Sequence, residues 1–519
     1  MELTRRDLLV LGSAAGAATL LGAPALAQKR GGDVIVGTIS DPPTTDAQTT
    51  TAETARNVSL HWIETLYARD ENGNPIPDLA QKYDLSPDGK EYTFTLRQGV
   101  RFHNGQEMTS QDVKASLERY AKVGGSAFIM KAVDSIVVAS KYVVQVRMKT
   151  PVPGFIDQIS SPRAPLGIMP ASEADKERGK ISHIGTGPYQ FVDFKPDSRV
   201  LLKRFDGYTP NTNFPKRDGF GGRKTAWFET VTFRQIPEGG ARAAALEAGE
   251  IHAVDMLPPP TADRLKGNPN VKIYPMMPWG FQIIAINCGR GPTANVNLRQ
   301  AILATLDCEE IMAIASEGLY RLTHGWQHPG TPYFVGDIGK ELYNQKNTAK
   351  AKQLLQEAGY KGEEIVFMAD SNYKNHHETA VVASEQMRKV GMNVKLNIVD
   401  WPTAYQLHFK PEAWNLWALA FGIEPYEGVY TVATYFTTEN NGEGLQFKAD
   451  PELTRLNQVL NTSLKLEDRV KAFAGFQKRV FEYVPAIKVG DFGRYQATRA
   501  NVVGYAPSRI PRMWDLWFV

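Results

Sequence analysis

Two cysteines, Cys288 and Cys308, leave this 519-residue chain almost without thiol chemistry. No third soft ligand stands at a finger-like spacing from either, so a cysteine-held zinc centre is not expected. A single Cys288–Cys308 disulfide and two separate buried thiols both stay open. A surplus of charge is also missing: 59 Lys plus Arg against 56 Asp plus Glu leaves a formal net charge of +3. With no basic stripe and no reader motif, the chain does not point to nucleic acid. Long apolar runs are absent apart from Leu8 to Leu21, which is interrupted by Gly12 and Gly16 and followed by Pro24. That stretch is short of the ~20 apolar residues a membrane span needs, so stable membrane insertion is not expected. Finally, no G-x-S-x-G elbow, H-E-x-x-H helix or G-x-x-x-x-G-K-[ST] loop occurs, and we expect neither catalytic residues nor a cofactor.

What the chain does have begins with an address. Arg5-Arg6 precede the apolar stretch, and Ala25-Leu26-Ala27 offers a small-residue cleavage site that would leave Gln28 as the new N-terminus. No cysteine stands there to take a lipid. The expectation is a twin-arginine signal peptide over 1–27 and a freely diffusing periplasmic protein. The remaining chain, at about one domain per ~150 residues, calls for about three domains, and 42% apolar with 22% charged residues is ordinary for a soluble globular protein.

Hydrophobic periodicity alternates between strands and helices. Strands are expected at Asp33–Gly37, around Ile136–Val138 and Tyr142–Val146, at Tyr189–Phe194, Val200–Leu202 and Val231–Phe233, and at Ile251–Met256, with a long crossing segment over Tyr274–Asn287. Helices are expected over Thr54–Leu66, Gly240–Ala248, Leu298–Leu306, Ala349–Ala358, Thr379–Lys389 and Leu466–Phe481. Strands Ile365–Met368, Val394–Ile398 and Ala486–Val489 complete an α/β pattern. Gly185-Thr186-Gly187-Pro188-Tyr189 lacks the lysine and helix start of a phosphate loop, and reads as a tight inter-lobe turn.

The densest segment runs from Tyr92 to Tyr120. Tyr92, Phe94 and Leu96 alternate with polar residues as in a half-buried strand, Asn104-Gly105 turns the chain, and Thr109 with Asp112 opens a helix carrying Val113, Leu117 and Tyr120. Phe94, Leu96, Arg97, Gly99, Val100, Phe102, His103, Gly105, Thr109, Asp112, Val113, Ser116 and Leu117 together resemble the signature of the extracellular solute-binding proteins of family 5, the dipeptide, oligopeptide and nickel receptors of ABC importers. The resemblance continues at Gly185–Tyr189, Asn297–Ala301, Ala349–Leu355, Glu357–Tyr360 and Val390–Val394.

That resemblance implies a periplasmic-binding-protein-like α/β fold: two α/β lobes with a hinge and an extra α+β subdomain. The implied division is 28–67 and 173–275 in the first lobe, 68–172 in the extra subdomain, 276–485 in the second lobe and 486–519 returning to the first. It further implies a monomer that captures a small solute between its lobes and hands it to the ABC permease. Peptide-binding members place a carboxylate for the α-ammonium about where Phe421 stands, ahead of Glu424-Pro425, and an arginine for the carboxylate near Lys374. Neither is present here. Aromatics expected toward the cleft are Trp279, Phe281, Trp326, Trp401 and Phe421; each could stack on a flat ligand or hold a cation, although ordinary core packing competes at every one. Asp41, Thr44 and Asp46 are loop candidates from the first lobe. A metal-chelate receptor or an opine or sugar receptor of the same fold stays open, with a periplasmic hydrolase behind them. No metal ligands are assigned: Gly325 and Pro329 argue against a helix joining His324 to His328, and the adjacent His376 and His377 would point about 100° apart on one.

Overall fold

The computed structural model describes residues 30–422, 428–437 and 447–519. The expected signal peptide and Glu424-Pro425 lie outside them. No helix among the described residues is long and apolar enough to cross a membrane.

Val34 and Val36 are buried on the strand Asp33–Thr38, which pairs in parallel with Thr230–Gln235 on one side and Ala253–Leu257 on the other. The helix Gly239–Ala248 joins those two partners, as a parallel pair requires. Its first turn is closed by the Glu238 carboxylate, which accepts from the N–H groups of Gly240 and Ala241, and its end by Gly249 at φ +78°. Arg199–Arg204 and Tyr189–Lys195 continue the sheet outward as antiparallel strands.

At the far end of the same sheet, Val394–Val399, Ile365–Asp370 and Leu416–Phe421 run parallel to one another. Between the two ends lie two long antiparallel strands, Val271–Ile286 and Ala486–Arg499, of 16 and 14 residues. Each takes part in both lobes. The strand expected at Ala486–Val489 is therefore the opening of a much longer one.

The second lobe packs helices Val296–Thr305, Cys308–Ala315 and Lys374–Lys389 on one face of its sheet. On the other face lie Gly428–Thr437, Pro451–Thr462 and Leu466–Tyr483. Cys288 and Cys308 are free and buried in this lobe, so of the two readings the separate thiols hold. Burial pushes their pKa values up to about 11 and about 12.

The signature segment builds a separate four-stranded antiparallel sheet, in the order Ala80–Leu85, Glu91–Leu96, Val143–Met148 and Val133–Ser140. Tyr92, Phe94 and Leu96 meet Val113, Leu117 and Tyr120 of the helix Ser110–Val123, and all six are buried. The Asp112 carboxylate accepts from the Thr109 backbone N–H at 2.8 Å and from its hydroxyl at 2.9 Å, which fixes where the helix starts.

Two expectations change in the first lobe. The helix foreseen over Thr54–Leu66 spans Glu53–Ser59. Beyond it the carbonyls of His61 and Trp62 accept from Tyr189 and Gly187 at 3.1 Å each, so these residues form long-range bonds in place of helical ones. The same bonds relocate Gly185–Tyr189. Instead of turning between the lobes, it joins the first lobe to the four-stranded unit, where the His103 ring contacts the Gly187 carbonyl at 3.1 Å and its Nδ1 accepts from the Gly185 N–H at 3.2 Å.

Candidate functional site

The two long strands lose their regular pairing midway. Met276 lies opposite Arg494 and Gly280 opposite Phe492, so three residues, Met277, Pro278 and Trp279, face the single Gly493. Such a bulge re-aims the side chains it carries. Trp279 sits in it, 5% exposed, with the Arg509 guanidinium 5.3 Å from its ring. Arg509 also donates to the Trp279 carbonyl at 3.3 Å and pairs with Glu53 of the first lobe at 3.3 Å.

Across from these, the strand Leu416–Phe421 brings the second lobe to the same place. A Cβ at Gly422 would fall 2.2 Å from the Arg509 guanidinium, and one at Gly280 2.6 Å from the Phe421 carbonyl, so both glycines permit the close approach. Phe421 stacks on Tyr435 at 4.4 Å, and the Tyr435 hydroxyl accepts from Arg163 at 3.5 Å. On its other side Tyr435 borders a cavity of about 880 Å3 between the four-stranded unit and the second lobe, lined also by Thr51, Tyr120, Phe128 and Asn461. That volume is within the range of small-molecule sites.

A second aromatic group lies on the second lobe. Asp400 caps the helix Trp401–Leu407 by accepting from Thr403, and the Trp401 N–H is fixed by the Asn372 side chain at 2.7 Å. The half-buried Trp401 ring stands edge-on to Tyr373 at 5.5 Å and roughly parallel to Trp417 at 6.1 Å. Tyr373 is 49% exposed, and partial burial, then the charges of Asp370 and Glu53, raise its pKa.

The structure thus brings Trp279 and Phe421 to the junction of the lobes and Trp401 to a neighbouring surface. It does not bring the other candidates there. Phe281, fully buried, carries the Lys488 ammonium 3.8 Å from its ring and meets Trp326, whose backbone N–H is held by Gln477, in the second-lobe core. The bulge explains the split: on a regular strand Trp279 and Phe281, two residues apart, would share a face, and the extra residues at Met277–Trp279 break that alternation. Asp46 is buried in a two-pronged pair with Arg119 at 2.5 and 3.2 Å and accepts from the Gly179 N–H, so its oxygens are occupied. Thr44 accepts from the Asp46 N–H in a local turn, and Asp41 accepts from the Asp197 N–H. Lys374 is held by Glu317 at 2.7 Å. Glu53, Arg494, Arg509 and Tyr435 were not foreseen. Arg494 and Arg509 stand far along the chain from the motifs, and no local pattern marks them.

Residues 74–443 match the family described as bacterial extracellular solute-binding proteins, family 5 middle. The chain is 26% identical over 549 aligned positions, covering 99% of both sequences, to a probable peptide ABC transporter periplasmic-binding protein, y4tO, of Sinorhizobium fredii. It is 27% identical over 425 positions, 76% of this chain and 74% of the relative, to the oligopeptide-binding protein AppA of Bacillus subtilis. The solved structure of that Bacillus protein in complex with a nonapeptide has the same fold, with a TM-score of 0.75 at 22% identity over 95% of this chain and 100% of the other.

Proposed function

The chain belongs to the bacterial extracellular solute-binding proteins of family 5, and from that premise we propose that it takes up a peptide-like solute in the periplasm, encloses it between its two lobes and delivers it to the permease of an ABC importer. The receptor role follows from relatives that are periplasmic-binding proteins of peptide ABC transporters. The observation that carries the mode of capture is the pair of long strands shared by both lobes, whose pairing is interrupted between Met276 and Gly280, where Trp279 lies. A hinge there would let each lobe move as a rigid body, and a solute bound better by the closed form would shift the balance toward it.

In this reading Trp279, Phe421 and Tyr435 supply apolar walls, with Trp401 and Tyr373 at the rim. The units are 28–67 with 173–275 and 486–519, 68–172, and 276–485. Export by the twin-arginine route with cleavage after Ala27, a monomeric state and binding without turnover complete the proposal. A second reading, a carboxylated non-peptide solute such as an opine, is favoured by one observation: the place of the peptide-ammonium carboxylate holds Phe421, stacked on Tyr435.

The test is a thermal-shift screen of residues 28–519 against peptides, opines, sugars and metal chelates. A ligand of the native state at a hundred times its Kd adds about 2.7 kcal/mol of stability. We expect a peptide or opine to raise Tm and to be recovered unchanged, and Trp279→Ala to weaken that ligand about tenfold or more, with the unliganded Tm recorded alongside. Chemical conversion of the solute, or no shift from any class, overturns the reading.

A further inference from the structure

We propose that Arg494 is the anchor for an anionic group of the solute, so that this receptor selects ligands carrying a free carboxylate; the inference rests on the receptor reading above. Arg494 stands on the returning long strand, opposite Met276 at the edge of the bulge that carries Trp279. The side chain is partly buried, and burial and the charges of Glu317, Glu53 and Arg509 act on it.

Its partners do not use up its capacity. One nitrogen donates to the Gly493 carbonyl at 3.1 Å, and the guanidinium lies 5.0 Å from the Phe492 ring. A guanidinium carries five N–H donors, and among the described residues no carboxylate comes within ion-pair distance of this one. The neighbouring acids are engaged elsewhere, Glu53 with Arg509 at 3.3 Å and Glu317 with Lys374 at 2.7 Å. Arg321 and Lys488 share Asp491. Arg494 is thus a partly buried cation at the edge of the bulge whose charge is not matched by a direct partner among the described residues. Burial pushes its pKa below the usual arginine value, but arginine stays charged under all ordinary conditions.

An anion that enters the cleft supplies what is missing. A carboxylate matches the planar fork with two parallel hydrogen bonds and cancels the single charge, whereas a phosphate dianion would call for further donors. The Phe492 ring beside it suits an apolar body attached to that carboxylate. In this arrangement the negative end of the ligand is held by the hinge strands themselves, so binding and closure act through the same residue.

The experiment compares two probes on residues 28–519: a mixture of short peptides and carboxylated amino-acid conjugates, and the same mixture after methyl esterification. We expect the free acids to raise wild-type Tm at concentrations about ten- to a hundredfold lower than the esters. Arg494→Gln should respond to both mixtures alike, at the level of the esters, while Arg494→Lys keeps part of the preference. Esters that act as well as acids on the wild type, or an Arg494→Gln protein that keeps the full preference, overturn the anchor and leave the receptor standing. If neither mixture acts on the wild type, both readings fall. Should Arg494→Gln not fold, the acid-against-ester comparison on the wild type decides alone.

Discussion

Asp255 carries a titration that its sequence neighbours do not announce. It is 4% exposed on a central strand, its Oδ1 has no hydrogen-bond partner among the described residues, and burial, reinforced by the charge of Glu53, raises its pKa to about 7. An unfolded aspartate titrates near ~3.9. The folded state therefore binds the proton more tightly, and this contribution to stability is fully present below about pH 4 and lost as pH rises through about 7. Asp255→Asn cannot lose it. We expect urea unfolding at pH 4 to give similar stabilities for both proteins, and at pH 8 an advantage for the variant of up to a few kcal/mol, on the order of the ~1.36 kcal/mol per pKa unit that linkage gives. Equal stabilities at both values would refute the buried, protonated aspartate. At this scale the sequence served the signature well and the cleft poorly. Asn104-Gly105, Thr109 and Asp112 act on residues a few positions away, so their roles are local and readable. Asp46, by contrast, looked available until Arg119, 73 positions on, occupied both its oxygens.

Gly185 shows what an element demands of one position. A Cβ there would sit 2.1 Å from the Trp62 carbonyl oxygen, an atom held in a backbone bond to Gly187. Gly185→Ala must push the first-lobe segment away from the strand Tyr189–Lys195, and overpacking of this kind typically costs ~1–3 kcal/mol. Gly267→Ala, where no atom lies within 4 Å and φ is not positive, is the control. We expect a clear fall in Tm for the first and almost none for the second; two unchanged proteins would show that the seam can yield. Elements with strong periodicity, such as Leu466–Tyr483 and Ser110–Val123, are readable because one face of each is buried. The strand Ala486–Arg499 is readable only at its start, since Gly490, Asp491, Gly493 and Arg494 break any alternation. It persists because Val271–Ile286 supplies backbone partners along its length. Short helices such as Trp401–Leu407 were missed for a similar reason: their few turns are held by neighbours more than by pattern.

For the whole molecule, the decisive feature is one sheet continued through two lobes by two strands. If the bulge at Met277–Trp279 is a hinge, a saturating ligand should lower the radius of gyration measured by small-angle scattering, and the same ligand should act less on Trp279→Ala at equal concentration. An unchanged radius with a bound ligand would mean that capture takes place without closure. Taken alone, the amino-acid sequence determined the α/β class, the signature strand with its turn and capped helix, the family and so the receptor role. All of these rest on short-range patterns and on motifs whose residues act locally. The tertiary structure decided which aromatics reach the junction of the lobes, that Asp46 is spent in an ion pair, that the cysteines stay apart, and that among the described residues Arg494 has no direct counter-charge. Those outcomes depend on residues hundreds of positions apart meeting at a seam, and no spacing within one segment encodes such a meeting.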